Sequence, residues 1–289
     1  MAILLDGNKV AQKIKQDVRK EILQIKKEFS RTPLLACVCF GKAGSSDVYV
    51  KAQAKVAAQV GLEYRLISLK EDISYPELAE EIRKLNHDPE VDAIMMQTPL
   101  PAHIDLLQAV KCIVPHKDAE GLHPQNLGKI ILDEAGIVPC TAQACLELIR
   151  YYDVKLFGKE VVVVGHSPIV GKPLSLMLLN VLATVTVCHI GTSEAGRLAE
   201  HVRRAEVLIV AVGQPAIIKG EWIKQGAVVI DVGINCVGDK IVGDVEFAKS
   251  KERASYITPV PGGVGPLTVA MLMSNSAKLS RASMEARLK

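Results

Sequence analysis

The feature that most limits what this chain can fold into is the run Val161-Val162-Val163-Val164-Gly165-His166-Ser167-Pro168-Ile169-Val170-Gly171-Lys172-Pro173. A buried strand of β-branched residues passes directly into a glycine turn, and the turn into a helix. That order implies parallel βαβ packing. It also points backbone N–H groups and a helix N-terminus at the space beyond the strand, an arrangement suited to phosphate. Glycine at 165 and 171 lets the backbone approach a ligand closely. Ser167 stands where the second glycine of Gly-x-Gly-x-x-Gly would be, so the run fits either a dinucleotide turn or a tight structural βα turn.

Neighbouring segments favour the first. A strand over 184–188 follows at Rossmann spacing, although His189-Ile190-Gly191-Thr192 replaces the acidic ribose ligand expected at its end. Two more glycine turns close predicted strands, Val212-Gly213-Gln214-Pro215 and Asp231-Val232-Gly233-Ile234-Asn235. Three turns on one sheet edge favour a dinucleotide crevice more than any one turn does alone.

Strands also alternate with helices earlier in the chain. The pattern predicts a helix from Asp6 to about Phe29, a strand over 34–40, and a helix capped by Ser45 or Ser46 and ended by Gly61. A strand over 64–69, a helix over 75–85 with Pro76 in its first turn, and a strand over 91–96 follow. The turn Thr98-Pro99-Leu100-Pro101 comes next. A connecting region over 115–152 holds the loop Lys117-Asp118-Ala119-Glu120-Gly121 and a helix from Thr141. After the 161–164 strand come a helix over 173–182 and strands over 207–211 and 227–231. The helix from Leu267 to the end needs apolar cover from another element, expected in the first domain. The expected fold is therefore α/β with two domains. An α/β domain spans 1–120, a connecting helix region 121–150, a Rossmann-type dinucleotide-binding domain 151–266, and a C-terminal helix 267–289 packed on the first domain. A chain of 289 residues can bury two such cores.

Composition excludes several function classes. The formal charge is +3, with no basic block interleaved with aromatics, so nucleic acid is not an expected partner. Asp6 brings a charge too early for a signal peptide, and no stretch reaches membrane-span length, so no membrane association and a cytoplasmic location are expected. The seven cysteines form no Cys-x-x-Cys pair. Reduced, buried cysteine and no metal site are expected.

The run Thr258-Pro259-Val260-Pro261-Gly262-Gly263-Val264-Gly265-Pro266-Leu267-Thr268 resembles the last motif of the bifunctional methylenetetrahydrofolate dehydrogenase/cyclohydrolase family, which has Met where Leu267 stands. Ser46-Asp47-Val48-Tyr49-Val50 resembles the family's Ser-x-x-Tyr-Val. Gln97-Thr98-Pro99-Leu100-Pro101 is similar to Gln-Leu-Pro-Leu-Pro, and Pro139-Cys140-Thr141 to Pro-Cys-Thr-Pro. Gly165-His166-Ser167-Pro168-Ile169-Val170-Gly171 is similar to Gly-Arg-Ser-x-Ile-Val-Gly. The resemblance implies a catalytic domain and a dinucleotide domain either side of a cleft. It implies oxidation of methylenetetrahydrofolate with hydride passed to NAD(P)⁺, then hydrolysis of the methenyl cation to 10-formyltetrahydrofolate. It also implies a homodimer formed through the cofactor domain.

By resemblance, Tyr49 covers the folate ring system, where the residue alone would read as a half-buried helix position. Gln97, with Met96 and Thr98, lies beside the reacting centre. Pro261, Gly262, Gly263, Val264 and Gly265 form a loop bordering both ligands. Gly165, His166, Ser167, Ile169, Val170, Gly171, Ile190, Gly213, Gly233 and Ile234 are the expected cofactor contacts.

Three departures from the family pattern bear on chemistry. Gln53 stands where the family has Lys four residues after Tyr49, and an amide supplies neither a titrating amine nor a charge. Cyclohydrolase activity is therefore expected to be weak or absent, which would leave the next step to a separate cyclohydrolase. Glu120 replaces the Asp of Lys-Asp-Val-Asp-Gly that contacts the pterin, one methylene further out. His166 stands where many members have Arg, and Ile190 offers no donor, so NAD is favoured over NADP, although Lys172 or Arg197 could reach a phosphate. The alternatives are the full bifunctional enzyme and a non-catalytic folate- or nucleotide-binding paralogue.

Overall fold

The computed structural model describes residues 2–41 and 48–288. Its strands are β1 Ile3–Leu4, β2 Leu34–Phe40, β3 Glu63–Leu69, β4 Ala93–Met96, β5 Glu160–Val164, β6 Thr184–Cys188, β7 Val207–Val210, β8 Val228–Asp231, β9 Asn235–Val237, β10 Lys240–Val242 and β11 Tyr256–Ile257. Its helices are α1 Gly7–Phe29, α2 Val48–Val60, α3 Tyr75–His87, α4 Leu106–Val110, α5 Pro124–Ile131, α6 Cys140–Tyr151, α7 Gly171–Asn180, α8 Ile190–Glu194, α9 Leu198–Arg204, α10 Phe247–Arg253 and α11 Val264–Ala286. Local chemistry sets several boundaries. The Asp6 carboxylate accepts the Asn8 N–H at 2.9 Å and starts α1. Ser74 and Glu77 form a capping box on α3, with proline in the first turn. The cap expected at Ser45 or Ser46 lies outside the described residues. Among those residues, no helix is long and apolar enough to cross a membrane.

The chain divides into two compact units. One comprises Met1–Ala11, Ile130–Asp133 and Thr141–Thr268. Its parallel sheet has the order β1-β11-β8-β7-β5-β6. The contributions of β1, β11 and the antiparallel β9–β10 hairpin go beyond the sequence reading. β1 and β11 are only two residues each, too short to show a period. The core of this unit includes Val162, Val164, Leu208, Val210, Val229 and Ile257.

The other unit comprises Gln12–Lys129, Glu134–Cys140 and Val269–Lys289. Its parallel sheet has the order β3-β2-β4. β2 lies at the centre and is buried at every position. The end of α11 lies within this unit. Arg281 pairs with Glu21 and Glu28 of α1, and Asn275 donates to the Ala119 and Val138 carbonyls at 3.0 Å each. Helix α5 lies in the connecting region, where the sequence reading had only a loop and the helix from Thr141.

Candidate active site

In the six-stranded unit, Val164, Cys188 and Val210 are register partners, so β5, β6 and β7 end level. Chain connections leave β5 in opposite directions here, and open parallel sheets bind ligands at such a switch point. Gly165 has φ +124°, and a Cβ there would lie 2.3 Å from the Ala211 oxygen. A Cβ at Gly171 would lie 2.0 Å from the Gly165 oxygen. Only glycine fits either place. Ser167 explains the imperfect motif. Its Oγ accepts the Val170 N–H at 3.1 Å and its carbonyl accepts the Lys172 N–H at 3.0 Å, so it closes the turn. The hydroxyl hydrogen remains a donor.

A cavity of about 280 Å³ lies beyond these strand ends, lined by Gly165, His166, Ser167, His189, Ile190 and Gln214 among others. The His166 and His189 rings stand 5.1 Å apart, centroid to centroid. Ile190 is 61% exposed. Ile169, Val170 and Gly171 belong to the turn and the start of α7 rather than to the cavity wall. A closely approaching backbone, a hydroxyl donor and two imidazoles fit a nucleotide. A second cavity, of about 300 Å³, opens where β7, β8 and β11 begin. That is the amino end of the sheet, away from the usual ligand edge.

Gly213 and Gly233 serve the protein's own carboxylates. The N–H groups of Val212, Gly213 and Gln214 all donate to Asp244, at 2.8, 3.0 and 2.8 Å. Asp231 accepts the N–H groups of Gly233, Asp244 and Val245. A Cβ on Gly233 would fall 2.2 Å from the Asp244 carboxyl. Neither glycine's N–H is left for a cofactor. Burial pushes Asp231 up to about 6, against its backbone hydrogen bonds, and Asp244 adds to the rise.

Residues 261–265 lie in the same unit. The Gly7 N–H donates to the Gly262 oxygen at 2.9 Å, and a Cβ on Gly7 would lie 1.7 Å from the Gly263 oxygen. The expectation that all five residues form a loop needs correction. Helix α11 begins at Val264, and Pro266 sits in its first turn, where a missing N–H is tolerated. Val264 is buried in the core, while Pro261 is exposed. Ile234, 45% exposed, stands beside Gly265.

In the three-stranded unit, α2 turns Val50, Gln53, Ala57 and Val60 inward. Gln53 is 8% exposed, Tyr49 is 50% exposed, and Lys51 and Lys55 are on the surface. β4 ends at Met96, whose side chain is fully buried and which contributes through its backbone. Gln97 Nε2 donates to the Thr98 oxygen at 2.9 Å. Gln53 Nε2 donates to Gln97 Oε1 at 3.2 Å, and the Tyr64 hydroxyl donates to Gln53 Oε1 at 2.9 Å. Gln53, Met96, Gln97 and Glu120 are thus assembled at one strand end.

Glu120 lies beside the end of β4. The Met96 N–H donates to its Oε2 at 3.3 Å. Burial, reinforced by the Asp118 carboxylate, pushes it up to about 8. That shift favours the neutral carboxylic acid, which can donate as well as accept. Asp118 is itself spent on the loop, accepting from the Gly121 and His123 N–H groups and the Asn126 amide. Burial also pushes the Cys37 thiol up to about 12, so it stays neutral.

Sequence reasoning passed over Tyr64 and Asp244, which act across gaps that no local motif marks. Gln214 and Asp231 lay in the quoted glycine turns, but their roles as cavity wall and buried acceptor were not read. His189 had one signal, its place at the end of β6.

Residues 5–120 match the family described as "Tetrahydrofolate dehydrogenase/cyclohydrolase, catalytic domain", and residues 139–284 match its "NAD(P)-binding domain". A relative named "Bifunctional protein FolD", from Sulfurihydrogenibium sp. (strain YO3AOP1), is 47% identical over 279 residues, covering 96% of this chain and 97% of the relative. The solved bifunctional FolD methylenetetrahydrofolate dehydrogenase/cyclohydrolase from Campylobacter jejuni is 40% identical, with TM-score 0.93 over 98% of this chain and 99% of that one. The Trypanosoma brucei methylenetetrahydrofolate dehydrogenase-cyclohydrolase, solved with NADP cofactor and inhibitor, is 40% identical, with TM-score 0.92 over 98% of each chain. With both halves matched in order and over nearly their full length, the chain belongs to the tetrahydrofolate dehydrogenase/cyclohydrolase family.

Proposed function

We propose that this protein oxidises 5,10-methylenetetrahydrofolate to the methenyl form with a nicotinamide dinucleotide, and that it hydrolyses the methenyl product weakly or not at all. The bound nicotinamide would accept the hydride. The protein's share of that step is geometric, since the bridge carbon must be held at near-contact distance. Exposed Tyr49 offers a ring to cover the folate. Gln97, with Met96 and Thr98, borders the reacting carbon, and Glu120 meets the pterin with a donor and an acceptor.

Hydrolysis asks for more. Water must attack the amidinium carbon and a proton must leave it. The observation that carries the reading is Gln53, the buried inward residue of α2, tied to Tyr64 and Gln97 while Lys51 and Lys55 face away. Gln53 can orient water but cannot take its proton. A separate cyclohydrolase would then consume the methenyl product. Supplying methylenetetrahydrofolate with NAD or NADP should give accumulating methenyl, and Gln53→Lys should increase formyl release. Efficient formyl production by the unmodified protein would overturn the reading.

Two observations favour a second reading, the full bifunctional enzyme. The relative at 47% identity bears that name, and Glu120 is a titrating group at the same strand end.

For the cofactor we favour NAD. The cavity beyond β6, where a ribose would lie, is lined by the donor-free side chain of Ile190. The NADP bound to the trypanosome relative argues for the other choice, and kcat/KM for each cofactor decides. A homodimer through this unit is supported by the edge position of β6, with Val187 exposed on that strand and Leu179 and Leu182 exposed on the helix and turn before it. Light scattering tests it, and a monomer would refute it.

A further inference from the structure

The bonds linking Tyr64, Gln53, Gln97 and Thr98 can run in one direction only. A main-chain carbonyl accepts and never donates, so the Thr98 oxygen takes Nε2 of Gln97. That turns Gln97 Oε1 toward Gln53, which must answer with Nε2. Gln53 Oε1 is then left facing Tyr64, whose hydroxyl must be the donor. Without that hydroxyl, Gln53 would keep a nearly buried oxygen with no partner and would gain by turning away. Gln97 would lose its donor in turn.

We propose that Tyr64 is a positioning residue for the folate reaction, setting through Gln53 the orientation in which Gln97 meets the substrate. This rests on the reading above that Gln97 borders the reacting carbon.

Tyr64→Phe should lower kcat about tenfold, the scale of one hydrogen bond, and leave KM for the cofactor unchanged. In a Gln53→Met background the same change should have little further effect, because the link is already cut. Equal effects in both backgrounds would overturn the proposal. A sharper test uses Gln53→Glu. An ionised carboxylate only accepts, so it satisfies Tyr64 but opposes Gln97 Oε1, and its kcat should fall below that of Gln53→Met despite the closer shape. When protonated, the same side chain offers O–H to Gln97 and C=O to Tyr64, as the amide does. Its activity relative to the parent should therefore rise as pH falls, and that of Gln53→Met should not. The titratable groups around the chain are Tyr64 on β3, Cys37 and Cys39 on β2, Glu120 after β4, and Tyr49, Lys51 and Lys55 on α2. Dividing by the parent removes the contribution of those that titrate alike in both proteins, and repeating the comparison in a Glu120→Gln background removes that of Glu120. A flat ratio would overturn the proposal, and this comparison stands even if Tyr64→Phe fails to fold. If the unmodified protein does not turn over methylenetetrahydrofolate, the functional reading fails separately. The orientation is then read from the side-chain amide NMR signals of Gln97, which should shift in Tyr64→Phe; unshifted signals would count against the link.

Discussion

Replacing Glu120 by Gln should change the pH dependence of stability in a way the structure fixes in advance. Burial lifts Glu120 to about 8, while an unfolded glutamate titrates near ~4.3. Between those values the folded protein holds a proton that the unfolded chain has released. Stability must then fall as pH rises, by about 1.4 kcal/mol per unit, and level off above about 8. From about pH 5.5 to about pH 7.5 the loss from this one group is about 2–3 kcal/mol. Glutamine resembles the protonated acid in shape and cannot ionise, so Glu120→Gln removes the slope. Urea denaturation of both proteins across that range gives the difference directly, and groups common to both cancel. The glutamine variant should gain on the parent steadily with pH. Parallel stability curves would refute the claim that Glu120 is protonated in the folded protein. Turnover carries a second signature. If the acid form meets the pterin, activity should fall through about pH 8 in the parent, and Glu120→Gln should lack that limb.

Three further outcomes are expected. Gly165→Ala places a Cβ 2.3 Å from a carbonyl oxygen at φ +124°, so it should cost about 3 kcal/mol and weaken dinucleotide binding, measured by denaturation and by cofactor titration. Asp244→Ala leaves the N–H groups of Val212, Gly213 and Gln214 and the Asn235 amide without their acceptor, and should lower stability by about 3–5 kcal/mol in the same assay. Asp231, raised to about 6 by burial, should lose stability as pH rises from about 4 to about 6, and Asp231→Asn should flatten the slope in that window.

The sequence by itself determined the longer helices and the central strands of both halves, because buried β-branched runs and capped, periodic helices are local signals. β2 and β6 appear with the boundaries expected, and the glycines of the β5 turn are required by contacts of 2.3 and 2.0 Å. It also singled out Gln53, since a motif lacking its lysine is visible one residue at a time. Tertiary structure decided the rest. It brought β1 and β11 into one sheet though they lie at opposite ends of the chain, a pairing no local pattern encodes. It gave Gly213 and Gly233 to Asp244 and Asp231, since a buried carboxylate needs donors and nearby backbone supplies them. It made Glu120 an acid, because protonation depends on burial and on Asp118 rather than on residue type. It tied Gln53 to Tyr64 and Gln97, a bond direction set by one carbonyl that can only accept.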